Sequence, residues 1–362
     1  MNILFLEPFF GGSHREFALG LQQYSRHTIT LDTLPPRFWK WRMRGAALEF
    51  ARQIPNPAMY DLVVTSSLMS TSDLKALWGK TCPPILLYFH ENQFTYPLSP
   101  GEKRDMHYGC TNIVSALAAD AVVFNSHYHF QDFFAHLDYF AAHMPDLQPS
   151  WSGKAIKTKS IVLYPGCRFT PFTGGVAQSS RDTPLLIWNH RWEHDKNPEL
   201  FFLTLENLKK KGCPFRVALL GEQFEQVPAV FQEAAAAFRG EIIHSGYVED
   251  REEYISWLRK GTVVVSTAVQ ENFGIAVVEA MRFGCFPVFP DRLSYPELLP
   301  DSLKKKCLYE NDGELTEKLE KALNNPAPDD VALLQNYVSR FAWENVIRHY
   351  DAVFERTVGG RE

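Results

Sequence analysis

The sequence predicts an α/β protein of two doubly wound, parallel-sheet domains, and three observations carry that prediction. Short runs rich in β-branched and aromatic residues alternate with segments of helical periodicity along the whole 362-residue chain. The runs are continuously apolar, as strands covered on both faces are. They fall into two series separated by a stretch with no hydrophobic period, and the length suits two domains of ordinary size.

In order, the first series is NILFLE, HTITLD, YDLVVTS, PILLYFH and DAVVFNS, and the second is PLLIWNH, FRVALLG, EIIHSG, GTVVVST and CFPVFPD. Between them, segments such as HYGCTNIVSALAA and NPELFFLTLENLKKKG carry apolar residues at 3.6-residue spacing. PFTGGVAQSSRDTP, residues 171–184, is rich in Pro, Gly and Ser and reads as a connection. The expected division is residues 1–172, a linker over 173–183, residues 184–340, and a last helical stretch over 341–362. That stretch either closes the second domain or crosses back to the first. Ligands of open α/β sheets lie beyond the carboxyl ends of the strands. Two such sheets facing each other make an interdomain cleft the expected site.

A content of 45% hydrophobic and 22% charged residues is that of a globular chain. No apolar run reaches 18 residues, and the N-terminal MNILFLEPFF lacks a basic start and is interrupted by Glu7 and Pro8. A buried strand is expected there, and no stable membrane insertion. Six cysteines without a CxxC pair argue for a reducing, cytoplasmic setting and against a disulfide framework. His190 and His194 in HRWEH lack the second-position glutamate of the zinc-protease motif, so no metal is expected. Residues 1–170 hold 15 basic against 13 acidic residues, and the remainder 22 against 29. A polyanionic partner would therefore meet the first half.

Three loops that follow strands can meet an anion. In EPFFGGSHREFALGL, Gly11 and Gly12 stand between a strand and a helix, where backbone N–H groups are open to a ligand; the same pair can serve turn geometry alone. In WNHRWEHDKNPELFF, Arg191 and Lys196 suit a diphosphate, one bidentate and one as a point charge, or else charge a solvated loop. In STAVQENFGIAVVEAMRFG, the N–H groups around Phe273, Gly274 and Ile275 can hold a phosphate at a helix start. Glu271 precedes that helix. Glu279 lies within it among apolar neighbours, where a carboxylate needs partners; its natural task is to accept hydrogen bonds from sugar hydroxyls.

With these residues in view, the chain resembles the GT-B retaining glycosyltransferases of family 4, which use nucleotide sugars. The resemblance runs through the Gly-Gly loop, His90 in LLYFHEN, the Arg191–Lys196–Asn197 pattern, the E-x7-E pair Glu271 and Glu279, and GCFPVFPD before YPELL. It implies two Rossmann-like domains. Arg191 and Lys196 would bind the donor diphosphate, and Glu279 the nucleotide ribose. Glu271 and the Phe273–Ile275 backbone would hold the sugar and phosphate, with Gly12 and His90 on the acceptor side. His90, Glu271, Arg191 and Lys196 are the implied catalytic set, and no metal or other cofactor is implied. By the same resemblance Glu297 would correspond to a donor-contacting acid, an assignment weakened by Leu293-Ser294 standing where the family pattern has a double glycine.

Within that family, EPFFGGSHREFALGL, YFHENQFTYP and HYGCTNIVSALAADAVVFNSHYH are similar to the queuosine-tRNA mannosyltransferases. The implied reaction moves mannose from GDP-mannose to the cyclopentenediol of queuosine at the wobble position, with aspartate tRNA the favoured acceptor. The first domain would then bind the acceptor, with Asn92 beside His90. A family 4 enzyme acting on a lipid-linked or small glycan acceptor with another nucleotide sugar is the alternative. A noncatalytic nucleotide-sugar module would have had no reason to keep Arg191, Lys196, Glu271 and Glu279 together. PPRFWKWRMR interleaves Arg37, Lys40, Arg42 and Arg44 with Phe38, Trp39 and Trp41. That mixture suits phosphates and unpaired bases. It equally suits an anionic membrane surface, or a core with snorkelling cations.

Overall fold

The computed structural model describes residues 1–98, 101, 103–144, 146–169, 183–222, 228–324 and 326–360. The expected linker, Thr183 apart, lies outside them. The chain divides into two units, Met1–Arg168 with Phe341–Glu362, and Phe169–Arg340.

The first unit is built on six parallel strands: β1 (Asn2–Glu7), β2 (Thr28–Thr33), β3 (Leu62–Ser66), β4 (Ile85–Phe89), β5 (Ala121–Phe124) and β6 (Ser160–Val162), in the order β2-β1-β3-β4-β5-β6. The order reverses between β1 and β3, which is the signature of a doubly wound sheet. The second unit repeats the plan with β7 (Leu185–Trp188), β8 (Arg216–Leu219), β9 (Ile242–Ser245), β10 (Val263–Val265), β11 (Phe286–Pro290) and β12 (Leu308–Tyr309). Their order is β12-β11-β10-β7-β8-β9, with the reversal between β7 and β10. The ten strands expected from sequence are all present. β6 and β12 were not expected: three and two residues long, at the sheet edges, they are too short to show a period.

Every residue of β3, β4, β7, β10 and β11 is buried, which is why these strands read as unbroken apolar runs. The edge strand β9 exposes alternate residues instead. The C-terminal helix Trp343–Gly359 packs in the first unit, where Trp343, Val346, Tyr350, Val353 and Phe354 join Ile3, Phe5 and Phe17 in one core. Gly20 and Gly166 make that docking possible, since a Cβ on either would fall 2.1 Å from the Trp343 indole. The Tyr350 hydroxyl lies within hydrogen-bond distance of the Leu163 and Tyr164 carbonyls, tying the helix to the end of the sheet. No helix among the described residues is long and apolar enough to cross a membrane, and none of the six cysteines forms a disulfide.

Candidate active site

In the second unit, the loops leaving β7 and β10 carry the residues expected to meet the donor. They emerge side by side because β7 and β10 pair at the reversal point. Lys196 is 6% exposed, and its ammonium has three partners: the Gln270 carbonyl at 2.9 Å, Asp195 Oδ2 at 3.1 Å and Glu271 Oε2 at 3.4 Å. Burial disfavours its charge, but Glu271 and Asp195 overcome that and raise its pKa. Burial likewise opposes ionisation of Asp195, yet Lys196 and Arg191 hold its carboxyl below the ordinary range. The loops are stitched by Thr267 Oγ1, which donates to the Lys196 and Asn197 carbonyls at 2.8 and 2.9 Å. Asn197 sits at φ 49° and caps the helix Pro198–Lys210 through Oδ1, which fixes where Lys196 ends up. Arg191 is half-exposed beside Glu193 at 3.1 Å, and near enough to Lys196 for the two like charges to interact.

The helix Ile275–Arg282 starts at Gly274, whose φ of 94° favours glycine. Ser294 Oγ donates to the Glu271 and Phe273 carbonyls at 3.2 and 3.1 Å, clamping the turn from behind. Its neighbour Leu293 takes φ 60°, the left-handed region. Glu279 is 7% exposed and has the partners a buried carboxylate requires: it accepts from Arg251 and lies against the Tyr254 hydroxyl. Asn189 Nδ2 bridges Tyr254 (3.0 Å) and the Ala276 carbonyl (2.7 Å). Arg251, Tyr254, Asn189 and Ser294 escaped the sequence reading. The one available signal was the position of Arg251 at the head of a helix capped by Asp250.

The first unit holds a second charged trio. Glu7, fully buried at the end of β1, accepts from Ser66 Oγ (3.0 Å) and the Phe9 N–H (2.9 Å), and lies 3.2 Å from His14 Nδ1. His14 Nε2 is 3.3 Å from Glu91, and its ring stacks on His90 at 3.9 Å. Burial works against a charge on His14, but Glu7 and Glu91 outweigh it and raise its pKa to about 10, so it is an imidazolium at neutral pH. His90 goes the other way: burial and the positive His14 keep it neutral, well below the ordinary histidine range. Glu7, His14 and His90 are also the one group among the described residues whose ligand atoms lie close enough together to hold a metal, all within 4.8 Å. Binding there requires His14 to lose its proton, against both carboxylates. His14 and Glu91 carried no role in the sequence reading, although both lie in quoted motifs.

Gly11 and Gly12 open the helix Gly12–Tyr24. A Cβ on Gly11 would meet Pro36 at 2.6 Å, and Gly12 has φ 50°, so both glycines have a geometric reason to be there. Asn92, expected beside the acceptor, is 1% exposed. Its Oδ1 accepts from the Phe94 and Thr95 N–H groups and its Nδ2 donates to Asp132. It therefore shapes the loop that follows His90. In PPRFWKWRMR the core alternative fails for two aromatics, since Phe38 is 71% and Trp41 68% exposed. Arg37, Lys40 and Arg44 are exposed, and Trp39 and Arg42 half-buried.

Residues 2–167 match the family model for the N-terminal part of tRNA-queuosine alpha-mannosyltransferase, and residues 176–339 match glycosyl transferases group 1. A curated tRNA-queuosine alpha-mannosyltransferase of Drosophila melanogaster is 37% identical over 329 residues, 88% of this chain and 86% of its own. A GDP-mannose:cellobiosyl-diphosphopolyprenol alpha-mannosyltransferase of Xanthomonas oryzae pv. oryzae (strain PXO99A) is 22% identical over 180 residues, 48% of this chain and 47% of its own. Among solved structures, a sucrose-phosphate synthase of Thermosynechococcus elongatus superposes with a TM-score of 0.77 at 14% identity, covering 99% of this chain and 100% of that one. The fold is thus that of the GT-B glycosyltransferases, two parallel six-stranded sheets with their helices. On the extent and level of its identity, the chain belongs to the tRNA-queuosine alpha-mannosyltransferase family, and is a hexosyltransferase.

Proposed function

We propose that this protein transfers mannose from GDP-mannose to the cyclopentenediol of queuosine at the wobble position of a tRNA, aspartate tRNA being favoured, with retention of configuration. The observation that carries the reading is the 37% identity to a queuosine-tRNA mannosyltransferase across 88% of the chain. The guanosine donor draws support from the name of the Xanthomonas relative. A tRNA substrate makes the cytoplasm the natural location.

The second unit would take the donor. Arg191, Lys196 and the N–H groups of Gly274 and Ile275 meet the diphosphate, and Glu279, oriented by Arg251, accepts from the ribose hydroxyls. Glu271 makes the longest of the three Lys196 contacts and is the most exposed of the trio, at 19% of its side chain. A diphosphate oxygen replaces it most easily, which releases Glu271 to the sugar. In the transfer, the bond from the anomeric carbon to the diphosphate oxygen breaks. The acceptor oxygen bonds to that carbon on the same face, and its proton passes to the departing diphosphate. Catalysis is then positioning and charge stabilisation at the leaving group, which the two cations supply without a metal. In the first unit, neutral His90 offers a hydrogen bond to sugar or acceptor without bringing a charge.

The test is incubation of the pure protein with GDP-mannose and queuosine-containing tRNA, followed by nucleoside mass spectrometry. A hexose on queuosine is expected. GDP-mannose consumption with unmodified tRNA would discard the acceptor, and inertness toward GDP-mannose alongside UDP-sugar turnover would discard the donor. A lipid-linked acceptor is the second reading, favoured by the Xanthomonas relative's name and by exposed Phe38 and Trp41 among cations. It predicts co-sedimentation with anionic vesicles.

A further inference from the structure

The loop that leaves β4 through His90 continues into a pocket of about 150 Å³ in the first unit, lined among others by Trp39, Lys40, Gln93, Tyr96, Lys103 and Tyr108. Two elements far apart in sequence build it. Trp39 opens the helix Trp39–Gln53 and Tyr108 lies in the first turn of the helix Met106–Ala118; their rings meet at 5.4 Å with a 55° tilt, leaving a wedge. The Lys40 ammonium lies 5.5 Å from the Trp39 ring centroid, and Lys103 is exposed at the rim. Gln93 is 8% exposed, and its backbone is fixed from both sides: its N–H donates to Asn112 at 2.9 Å and its carbonyl accepts from Arg104 at 3.1 Å. Arg104 also donates to the Tyr96 carbonyl at 2.9 Å, so it holds the loop in shape while adding positive charge. Asp105, the one acid among the described residues of the lining, caps the second helix and pairs with His107 at 2.8 Å.

Flat aromatic faces, flanking ammonium groups and a side-chain amide on a fixed backbone are the parts that recognise one unpaired nucleotide: a face to stack on, cations for its phosphates, and a group to pair with the base edge. We propose that this pocket binds a single unpaired nucleotide of the acceptor RNA, adjacent to the one that is modified, with its base on Trp39 and Tyr108, its edge on Gln93 and its phosphate between Lys40 and Lys103. Adjacency follows from the chain: Gln93 is three residues beyond His90 on one loop. The proposal rests on an RNA acceptor and says which part of that RNA, besides queuosine, the enzyme grips.

The experiment measures fluorescence anisotropy of a labelled, queuosine-containing anticodon stem-loop with wild type, Trp39→Ala, Trp39→Phe and Lys103→Ala, alongside steady-state transfer from GDP-mannose. Loss of one stacked base predicts a weakening of about tenfold or more for Trp39→Ala, with Trp39→Phe close to wild type. Lys103→Ala, a rim substitution that leaves the fold alone, is expected to lower the salt dependence of binding by about one ion. The KM for GDP-mannose should stay within about twofold throughout. Wild-type transfer with unchanged stem-loop affinity in both alanine variants would overturn the pocket and leave the acceptor standing. Wild type that neither modifies nor binds the stem-loop removes both. Variants that keep RNA affinity but lose binding to phosphatidylserine vesicles would overturn the nucleotide in favour of a membrane surface.

Discussion

Both units bury a cation between two carboxylates at the end of the sheet. In the first it is Glu7–His14–Glu91, in the second Asp195–Lys196–Glu271. The difference lies in the cation. An ammonium carries its charge throughout the physiological range, whereas an imidazole keeps its proton at neutral pH only because the carboxylates hold it there. The second trio is a fixed charge suited to an anionic leaving group, and the first is a structural charge that alkali can remove. Its imidazolium also sets the state of its neighbour, since it helps keep the stacked His90 neutral.

The comparison can be broken from either side. The largest effect is expected from His14→Asn, which leaves two carboxylates facing each other without their cation and should cost about 3–5 kcal/mol of stability, read from urea midpoints at pH 7. A midpoint equal to wild type would mean that His14 is not charged. The pH dependence follows from its raised pKa. With a folded-state value near 10 above an ordinary 6.5, the stabilisation is complete below about pH 6.5, declines above it and is gone once pH passes about 10. Wild type should therefore lose melting temperature between pH 7 and 10, and His14→Asn should show a flatter profile over that window.

Lys196→Ala comes next. Losing one charge at the leaving group is expected to lower kcat by about 10²–10³-fold, with thermal melting used to confirm a folded variant. Turnover within threefold of wild type would take Lys196 out of the site. Glu279→Gln keeps the shape and discards the charge that meets Arg251. It should raise the KM for the donor by roughly tenfold with kcat little changed, in line with the loss of a charged hydrogen bond. The smallest effect is that of Leu293→Gly. Relief of a left-handed leucine is worth about 1–2 kcal/mol and the added freedom of glycine costs about 0.5–1. A net gain of a few tenths to 1 kcal/mol is expected in the urea midpoint. A loss would show that the leucine side chain contributes more to packing than its backbone costs.

The neighbourhood of the loops after β7 and β10 was legible because their residues are close in sequence or follow a fixed helical spacing. Glu271 and Glu279 straddle one turn, and Arg191, Lys196 and Asn197 lie on one loop. Most of what was hidden in that unit comes from other elements: Arg251 begins another helix, and no local pattern says that it ends beside Glu279. The first unit was harder for the same reason, carried further. Glu7 looked like an interruption of an apolar run, and nothing local to Asn92 says that its amide is shared between its own loop and the distant Asp132.

By itself the sequence determined the two series of buried strands, and with them two doubly wound sheets, because continuous apolar runs alternating with amphipathic helices have few other ways to bury both faces. It also determined which loops follow which strands, and so where an anion could be met. Only the tertiary structure decided that the C-terminal helix packs in the first unit, that His14 is charged while His90 is neutral, and that Trp39 shares a pocket with Tyr108. Each depends on side chains brought together from distant segments, and the energy of a buried charge or a stacked ring is set by those neighbours, not by the residue that carries it.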